Sequence, residues 1–456
     1  MSPNILSNFS ALKNCFRLLL VAAVFALGSL PPARALNLPE VFQKKAPRAA
    51  ASLSPDTLEL LGKKSLFSEY ARKEGRKIFA VYQPWYGTEK NGWSHWKGWG
   101  NDPKSSFDAQ IASVHHPLIG LYDSSERDLI RHHIELARAC GIDGFIVDWY
   151  GNMVFHDSYV QTLLNEAEEM GFSIALMYEP RVAKQNRAVM KEHLRYILNH
   201  YAESPAYQKV AGVPVIYVFG MVSTGFSAGD YAKVTKELME EGEQRGKNHV
   251  FALVGDSTVK PEYFKAASAL FEWINMDCLA RNESWKANPE QWEDYARGEA
   301  FRVSEDRSDI FVIGSVYGGF DDARLGGGNW GRGNRRYLPD QNGLVAKKTI
   351  NYTVEKGFPW AIVQTFNDWN EGTEFEPSQE LGFSRIWNMM DLSARMKGAI
   401  LNPHQAVSAV ERFALKQSNG QFDKERQLFF KQAHAQAESM IEKLATRTAD
   451  LLTAPN

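Results

Sequence analysis

Short apolar runs rich in β-branched and aromatic residues alternate along this chain with longer stretches whose apolar positions recur every three or four residues. That alternation predicts parallel strands joined by crossover helices. The first run is Ile78-Phe79-Ala80-Val81-Tyr82. Gly144–Val147, Ser173–Met177, Pro214–Phe219 and Val250–Val254 follow, then a weaker run at Ala269–Trp273, then Ile310–Val316 and Trp360–Phe366. Between them the spacing predicts helices running to Cys140 and Met170 and over Lys191–Tyr201, Tyr231–Arg245 and Leu344–Glu355. Ser125 and Asp128 form a capping-box variant at the start of the first. Asn288-Pro289 pairs an N-cap with a proline at the first helical position. The strands are apolar on both faces, as a sheet covered by helices requires. Eight such units predict a closed (β/α)8 barrel of the TIM type with a C-terminal helical appendage, and a doubly wound open sheet is the alternative.

The flanks divide the chain further. Lys13 and Arg17, the apolar stretch Leu18–Leu30 and Ala33-Arg34-Ala35 have the order of an export signal over residues 1–35. The apolar stretch is short for a membrane span, although a retained anchor is the alternative. A cleaved signal implies a secreted or periplasmic protein with no stable membrane insertion. Residues 36–76 read as a linker and a leading helix, 77–398 as the barrel, and 399–456 as helices on its flank or a solvated tail. Cleavage would remove Cys15 and leave Cys140 and Cys278, too few for a disulfide framework.

The net charge of −2 provides no field for nucleic acid. A neutral partner fits better. Aromatic residues make up 12% of the chain, with 12 Trp, several in predicted loops. Sugar rings stack their C–H faces on such side chains, and large aromatics also fill large cores.

A barrel of this kind carries its site at the C-terminal ends of its strands. There the chain reads Tyr82-Gln83-Pro84-Trp85-Tyr86, Asp148-Trp149-Tyr150, Tyr178-Glu179-Pro180, Asp256, Glu272, Tyr317 with Asp321 and Asp322 behind it, and Asn367-Asp368-Trp369-Asn370-Glu371. Each acid alone could cap a helix. As a set they mark one end of the sheet with carboxylates and aromatics. Asp368 and Glu371 are the sharpest pair. On one turn their Cβ atoms lie roughly 5–6 Å apart. Carboxylates that close repel when both are ionised, so one proton is shared between an acid and a base. Glycoside hydrolysis uses that division. Two solvated loop acids are the alternative.

The run from Thr365 to Pro377 resembles the eighth-strand motif of glycoside hydrolase family 99, the endo-α-mannosidases and endo-α-mannanases, which carries Phe-Asn-Glu-Trp-x-Glu-Gly-Thr. Tyr82-Gln83-Pro84-Trp85-Tyr86, Ser204-Pro205-Ala206-Tyr207 and Gly212-Val213-Pro214-Val215 are similar to earlier segments of that family. The first family Glu is Asp368 here, which is also similar to the Asn-Asp-Tyr-Gly-Glu motif of family 71, the α-1,3-glucanases. The resemblance to this 71/99-like group implies a (β/α)8 barrel, no metal or other cofactor, a carbohydrate substrate and attack on an α-glycosidic bond. It implies Glu371 as the acid and Asp368 as the base. Tyr82, Trp85, Tyr86, Asp148, Trp149, Tyr150, Glu179, Tyr317, Asn367 and Trp369 are the expected substrate contacts. In family 99 the base takes a proton from the sugar 2-hydroxyl and the anomer is retained, whereas family 71 implies inversion. Asp368 is one methylene shorter than Glu, which sets its carboxylate about 1.5 Å back and leaves room for a water.

Other signals have competing readings. Trp93, His95, Trp96 and Trp99 form a sugar-stacking wall or pack a loop onto the rim. His115-His116 and His132-His133 lack metal-ligand spacing. Gly326, Gly328 and Gly331 match a dinucleotide fingerprint without the strand and helix it needs, and read better as a loop over the site. Arg324, Arg332, Arg335 and Arg336 hold an anionic substituent or form a solvated face. Alternatives to a glycosidase are a non-catalytic glycan-binding barrel, a domain of polysaccharide assembly, and a metal-dependent hydrolase.

Overall fold

The computed structural model describes residues 64–97, 111–256, 263–274, 311–325 and 335–453, apart from a few positions inside those stretches. The export segment, the linker, Trp99, Glu272, Cys278, Asn288-Pro289, the glycine fingerprint and Arg332 lie outside the described residues.

Helix α1 (Lys64–Lys73) leads into β1 (Lys77–Tyr82). There follow α2 (Arg127–Ala139), β2 (Gly144–Trp149), α3 (Asp157–Met170), β3 (Ser173–Tyr178), α4 (Arg187–His200), β4 (Lys209–Val210) and β5 (Val213–Val218). Next come α5 (Ala228–Gln244), β6 (Ala252–Asp256), β7 (Ala267–Phe271), β8 (Phe311–Tyr317), β9 (Phe320–Asp321) and β10 (Tyr337–Leu338). The described chain ends with α6 (Leu344–Glu355), β11 (Trp360–Gln364), α7 (Ser384–Lys397), α8 (Pro403–Gln417) and α9 (Lys424–Thr453).

β1, β2, β3, β5, β6, β7, β8 and β11 pair in parallel, each with the next, and β11 returns to β1 with Ile78 opposite Ala361. The ring is closed, so the barrel holds and the open-sheet alternative falls. β4 is an antiparallel appendage on β5, and β9 and β10 form a separate antiparallel pair.

Successive strand side chains face opposite ways, so a closed barrel has two apolar layers. The inward set includes Phe79, Val81, Ile146, Met177, Tyr217, Val254, Phe271, Ile313, Trp360 and Ile362. Phe67 of α1 joins it where the strands begin, its ring 5.8 Å from Phe311 and 6.3 Å from Trp360. The leading helix therefore plugs the N-terminal end of the barrel. The outward set, with Ile78, Tyr82, Phe145, Leu176 and Ile216, packs under the helices. On α9, Phe430, Ala433, Ala437, Met440 and Leu444 join this layer at a three-and-four spacing. That is the stripe a helix needs to lie against a neighbour.

Some local expectations fail. The capping box at Ser125 and Asp128 does not form. Ser125 Oγ donates to Asp123 Oδ1 at 2.6 Å, Asp128 pairs with Lys416 of α8, and α2 starts after Glu126 without a side-chain cap. The strand expected over 250–254 runs from Ala252 to Asp256, and that expected over 269–273 runs from Ala267 to Phe271. β11 stops at Gln364, where Thr365 turns its N–H to Thr373 O in the loop that follows, while Phe366 N still reaches Val81 O of β1. Among the described residues no helix is long and apolar enough to cross a membrane.

Candidate active site

The alternation that fills the barrel also decides what caps it. Asp148 follows Ile146 on the inward face, Glu179 follows Met177, Asp256 follows Val254, and Tyr317 follows Ile313 and Ser315. All four are buried at the C-terminal mouth.

The segment after β11 completes the mouth. Thr365 donates its backbone N–H to Thr373 O at 3.0 Å, and Thr365 Oγ1 accepts from Asp368 N at 2.7 Å. Asp368 Oδ1 accepts from Glu371 N at 3.2 Å, and Oδ2 from Gln83 Nε2 at 3.3 Å. The two acids therefore share one turn, as their spacing predicts. Gly372 closes that turn at φ +63°, a region disfavoured for other residues.

Charge accumulates here. Asp368 is pushed well above the usual carboxylate range, first by burial and then by Glu371. Burial, with Glu179 and Asp368 beside it, does the same to Asp148. Glu179 rises to about 8 through burial, with Asp256 and Glu371 adding to it and Arg181, 3.2 Å away, opposing. Burial also raises Glu371, against the pull of Arg336 at 3.2 Å. Carboxyls this close compete for protons, so a carboxylic acid and a carboxylate can coexist within the cluster.

The expected contact residues fall into two groups. Trp85, Tyr150, Asp148, Glu179 and Tyr317 belong to the mouth or its rim. Trp85 lies flat against His95 at 4.6 Å, with Tyr150 6.0 Å away. Tyr82, Tyr86, Trp149, Asn367 and Trp369 are buried, with their polar atoms turned to partners within the fold. Tyr82 and Trp149 end their strands on the outward face. Tyr82 Oη meets His133 Nδ1 at 3.1 Å, and Trp149 Nε1 donates to Asp157 at 2.8 Å. Tyr86 Oη accepts from Trp369 N at 2.9 Å. Asn367 bonds both the N–H and the carbonyl of Gln83, at 2.7 and 3.0 Å. Trp369 Nε1 reaches Tyr122 Oη at 2.9 Å and Glu376 at 3.2 Å.

Other residues were missed. Gln83 was visible only as part of the first strand's end. Glu376 is buried among Tyr122, Trp369 and His133, and Arg385 donates to the carbonyls of Gly372 and Glu374. Nothing in the local pattern marks these long-range partners. Arg336, one reading of which was a solvated face, instead joins Asp322 to Glu371. Of the aromatic residues read as a stacking wall or as loop packing, Trp96 is core, stacked on Tyr86 at 4.2 Å, while Trp93 and His95 are partly buried. Among the described residues no group of three His, Cys, Asp or Glu could hold a metal ion.

The sequence profile of glycosyl hydrolase family 99 matches residues 75–387. A glycoprotein endo-α-1,2-mannosidase-like protein of Mus musculus is 21% identical over 383 residues, covering 76% of this chain and 79% of the relative. The glycoprotein endo-α-1,2-mannosidase of Xenopus laevis is 20% identical over 329 residues, covering 66% and 69%. The solved family 99 endo-α-mannosidase of Bacteroides thetaiotaomicron matches with a TM-score of 0.53 at 19% identity, over 75% of this chain and 98% of that one. At that identity the structural likeness speaks for the fold.

Proposed function

This chain belongs to glycosyl hydrolase family 99, and from that membership we propose that it cleaves α-linked, mannose-containing glycans with Asp368 and Glu371 as the reacting carboxylates. It is a glycosidase acting on α-linkages; the sugar and the residue roles are the proposal. The observation that carries the site assignment is the shared turn, on which Asp368 Oδ1 accepts from Glu371 N at 3.2 Å within a buried cluster of acids.

Glu371, partly exposed at the mouth, gives its proton to the glycosidic oxygen as the C1–O bond breaks. With the proton of the pair on Glu371, the ionised Asp368 takes the proton of the attacking hydroxyl as the new C1–O bond forms. Gln83 and the Glu371 N–H leave Asp368 oriented before substrate arrives. Such acid–base transfer contributes typically about 10²- to 10⁴-fold. Glu179, Asp148, Tyr150, Trp85 and Tyr317 line the sugar. Asp148 Oδ1 and Gln83 Oε1 are buried and have no hydrogen-bond donor among the described residues, so they offer acceptors to sugar hydroxyls. Tyr82, Tyr86, Trp149, Asn367 and Trp369 hold this surface in place from behind. The N-terminal signal pattern supports export, to the periplasm or the medium, where extracellular glycans are met.

The test is a panel of α-1,2-, α-1,3- and α-1,6-mannans and α-1,3-glucan, read by product length and by NMR of the first anomer released. Oligosaccharides from an α-mannan support the proposal. A retained anomer assigns the attacking oxygen to the sugar, and an inverted one assigns it to water. Cleavage of α-1,3-glucan alone overturns the mannose assignment.

A further inference from the structure

Two adjacent arginines precede β10 and face different ways. Arg335 is exposed and pairs with Asp321 on the outer side of the β9–β10 pair. Arg336 turns inward. Its backbone N–H and its Nε each donate to the fully buried Asp322 at 2.7 Å. Its Nη2 donates to Glu371 Oε1 at 3.2 Å, and its guanidinium lies 4.9 Å from the Phe320 ring centre. The same stretch is tied to the Glu371 backbone, with Asp321 N donating to Glu371 O at 2.7 Å. Arg336 is thus anchored twice to Asp322 and once, over a longer bond, to Glu371. The anchored side fixes the guanidinium, and the single contact can yield when Glu371 turns to a leaving oxygen.

We propose that Arg336 is a positioning residue for the reaction: it holds the Glu371 carboxylate toward the mouth and keeps a cation beside the proton donor. This rests on the reading of Glu371 as proton donor. The groups facing Glu371 are Arg336 and Asp322 from the β9–β10 pair, Asp368 from its own turn, Glu179 and Arg181 beyond β3, and Tyr150 beyond β2. Asp322, Asp368 and Glu179 favour the proton on Glu371, while the two arginines oppose it. Among the described side chains, Arg336 is the one that hydrogen-bonds the Glu371 carboxylate.

The sign follows from charge. Losing Arg336 removes a cation beside the donor, so the donor stays protonated to higher pH. In Arg336→Gln the alkaline limb of kcat/KM should move up by about one pH unit. Its kcat should fall roughly tenfold with little change in KM, because a contact that orients the donor is lost. Arg336→Lys keeps the charge and should keep the limb. Arg335→Gln, in the same stretch but paired away from Glu371, should match the wild type. Asp322→Asn removes an anion beside Glu371 and leaves Arg336 paired with Glu371, so its limb should move down, which keeps the test open if Arg336→Gln fails to fold.

The experiment is the pH profile of these variants, with Glu371→Gln alongside, on whichever glycan the wild type cleaves. An unmoved limb in both Arg336→Gln and Asp322→Asn, with Glu371→Gln inactive, overturns the role of Arg336 alone. An equal shift in Arg335→Gln reduces the effect to general disturbance of the loop and also overturns it. Undiminished activity in Glu371→Gln sinks the proton-donor reading and this inference with it.

Discussion

At the scale of single residues, burial and charge work against each other at the barrel mouth. Glu179 is the clearest case, because burial pushes its carboxyl up to about 8. Between about pH 4.5 and 8 the folded chain then holds a proton that the unfolded chain has released. Stability contributed by that proton is complete below the lower value and is lost as the pH rises through the upper one. Glu179→Gln should therefore melt higher than the wild type at pH 8 and match it near pH 4, while losing activity, as residues kept for function rather than stability do. Thermal unfolding across that range checks the first half and the glycan assay the second. Gly372→Ala tests the turn itself. An added Cβ would meet Asp321 O at 3.1 Å and Val114 Cγ2 at 3.2 Å, at a φ that L-residues avoid. A loss of about 1 kcal/mol or more is expected, with a fall in kcat that urea unfolding and kinetics together would read. The acids were legible in the sequence because charged residues at the ends of buried strands need a reason to be there. Tyr82 and Trp149 were not, because both faces of these strands are apolar and alternation alone does not say which face turns inward.

Among the elements, the segment after β11 is held by partners far away in the chain. Glu376 joins Tyr122, Trp369 and His133, and His133 in turn meets Tyr82. His115 and Arg385 flank Glu374 on the other side. The turn bearing Asp368 and Glu371 is therefore held from the barrel rim as well as by the hydrogen bonds within it. Glu376→Ala leaves several buried donors without their acceptor and should cost about 3 kcal/mol. Its kcat should fall more than its KM rises, since the acids lose alignment while the sugar surface remains. A variant with wild-type kcat would contradict this view. The run Thr365–Pro377 announced the element, but its supports at residues 115, 122, 133 and 385 come from separate segments, and one chain read in isolation has no signal linking them.

For the molecule as a whole, strand–helix alternation was enough to predict eight units, and the pairing of β11 with β1 turns that count into a closed ring. The ends of the elements were less legible, because the hydrogen bonds that stop β11 or start α2 belong to tertiary partners. The leading helix was expected only as a helix, and its role as the barrel's plug depends on Phe67 reaching Phe311 and Trp360. Phe67→Ala should destabilise the chain by about 3–5 kcal/mol without altering the kinetics of the folded fraction, since the plug lies at the end opposite the acids. Turnover tests the central claim, that one turn carries both the proton donor and its partner base. The most direct measurement compares Glu371→Gln on two α-glycosides of the cleaved sugar, one with a sugar leaving group and one with a dinitrophenyl leaving group that needs no proton. The account predicts a drop of about 10²-fold or more on the first and near wild-type rates of bond cleavage on the second, with Asp368→Asn impaired on both. An equal loss on both substrates in Glu371→Gln would contradict it.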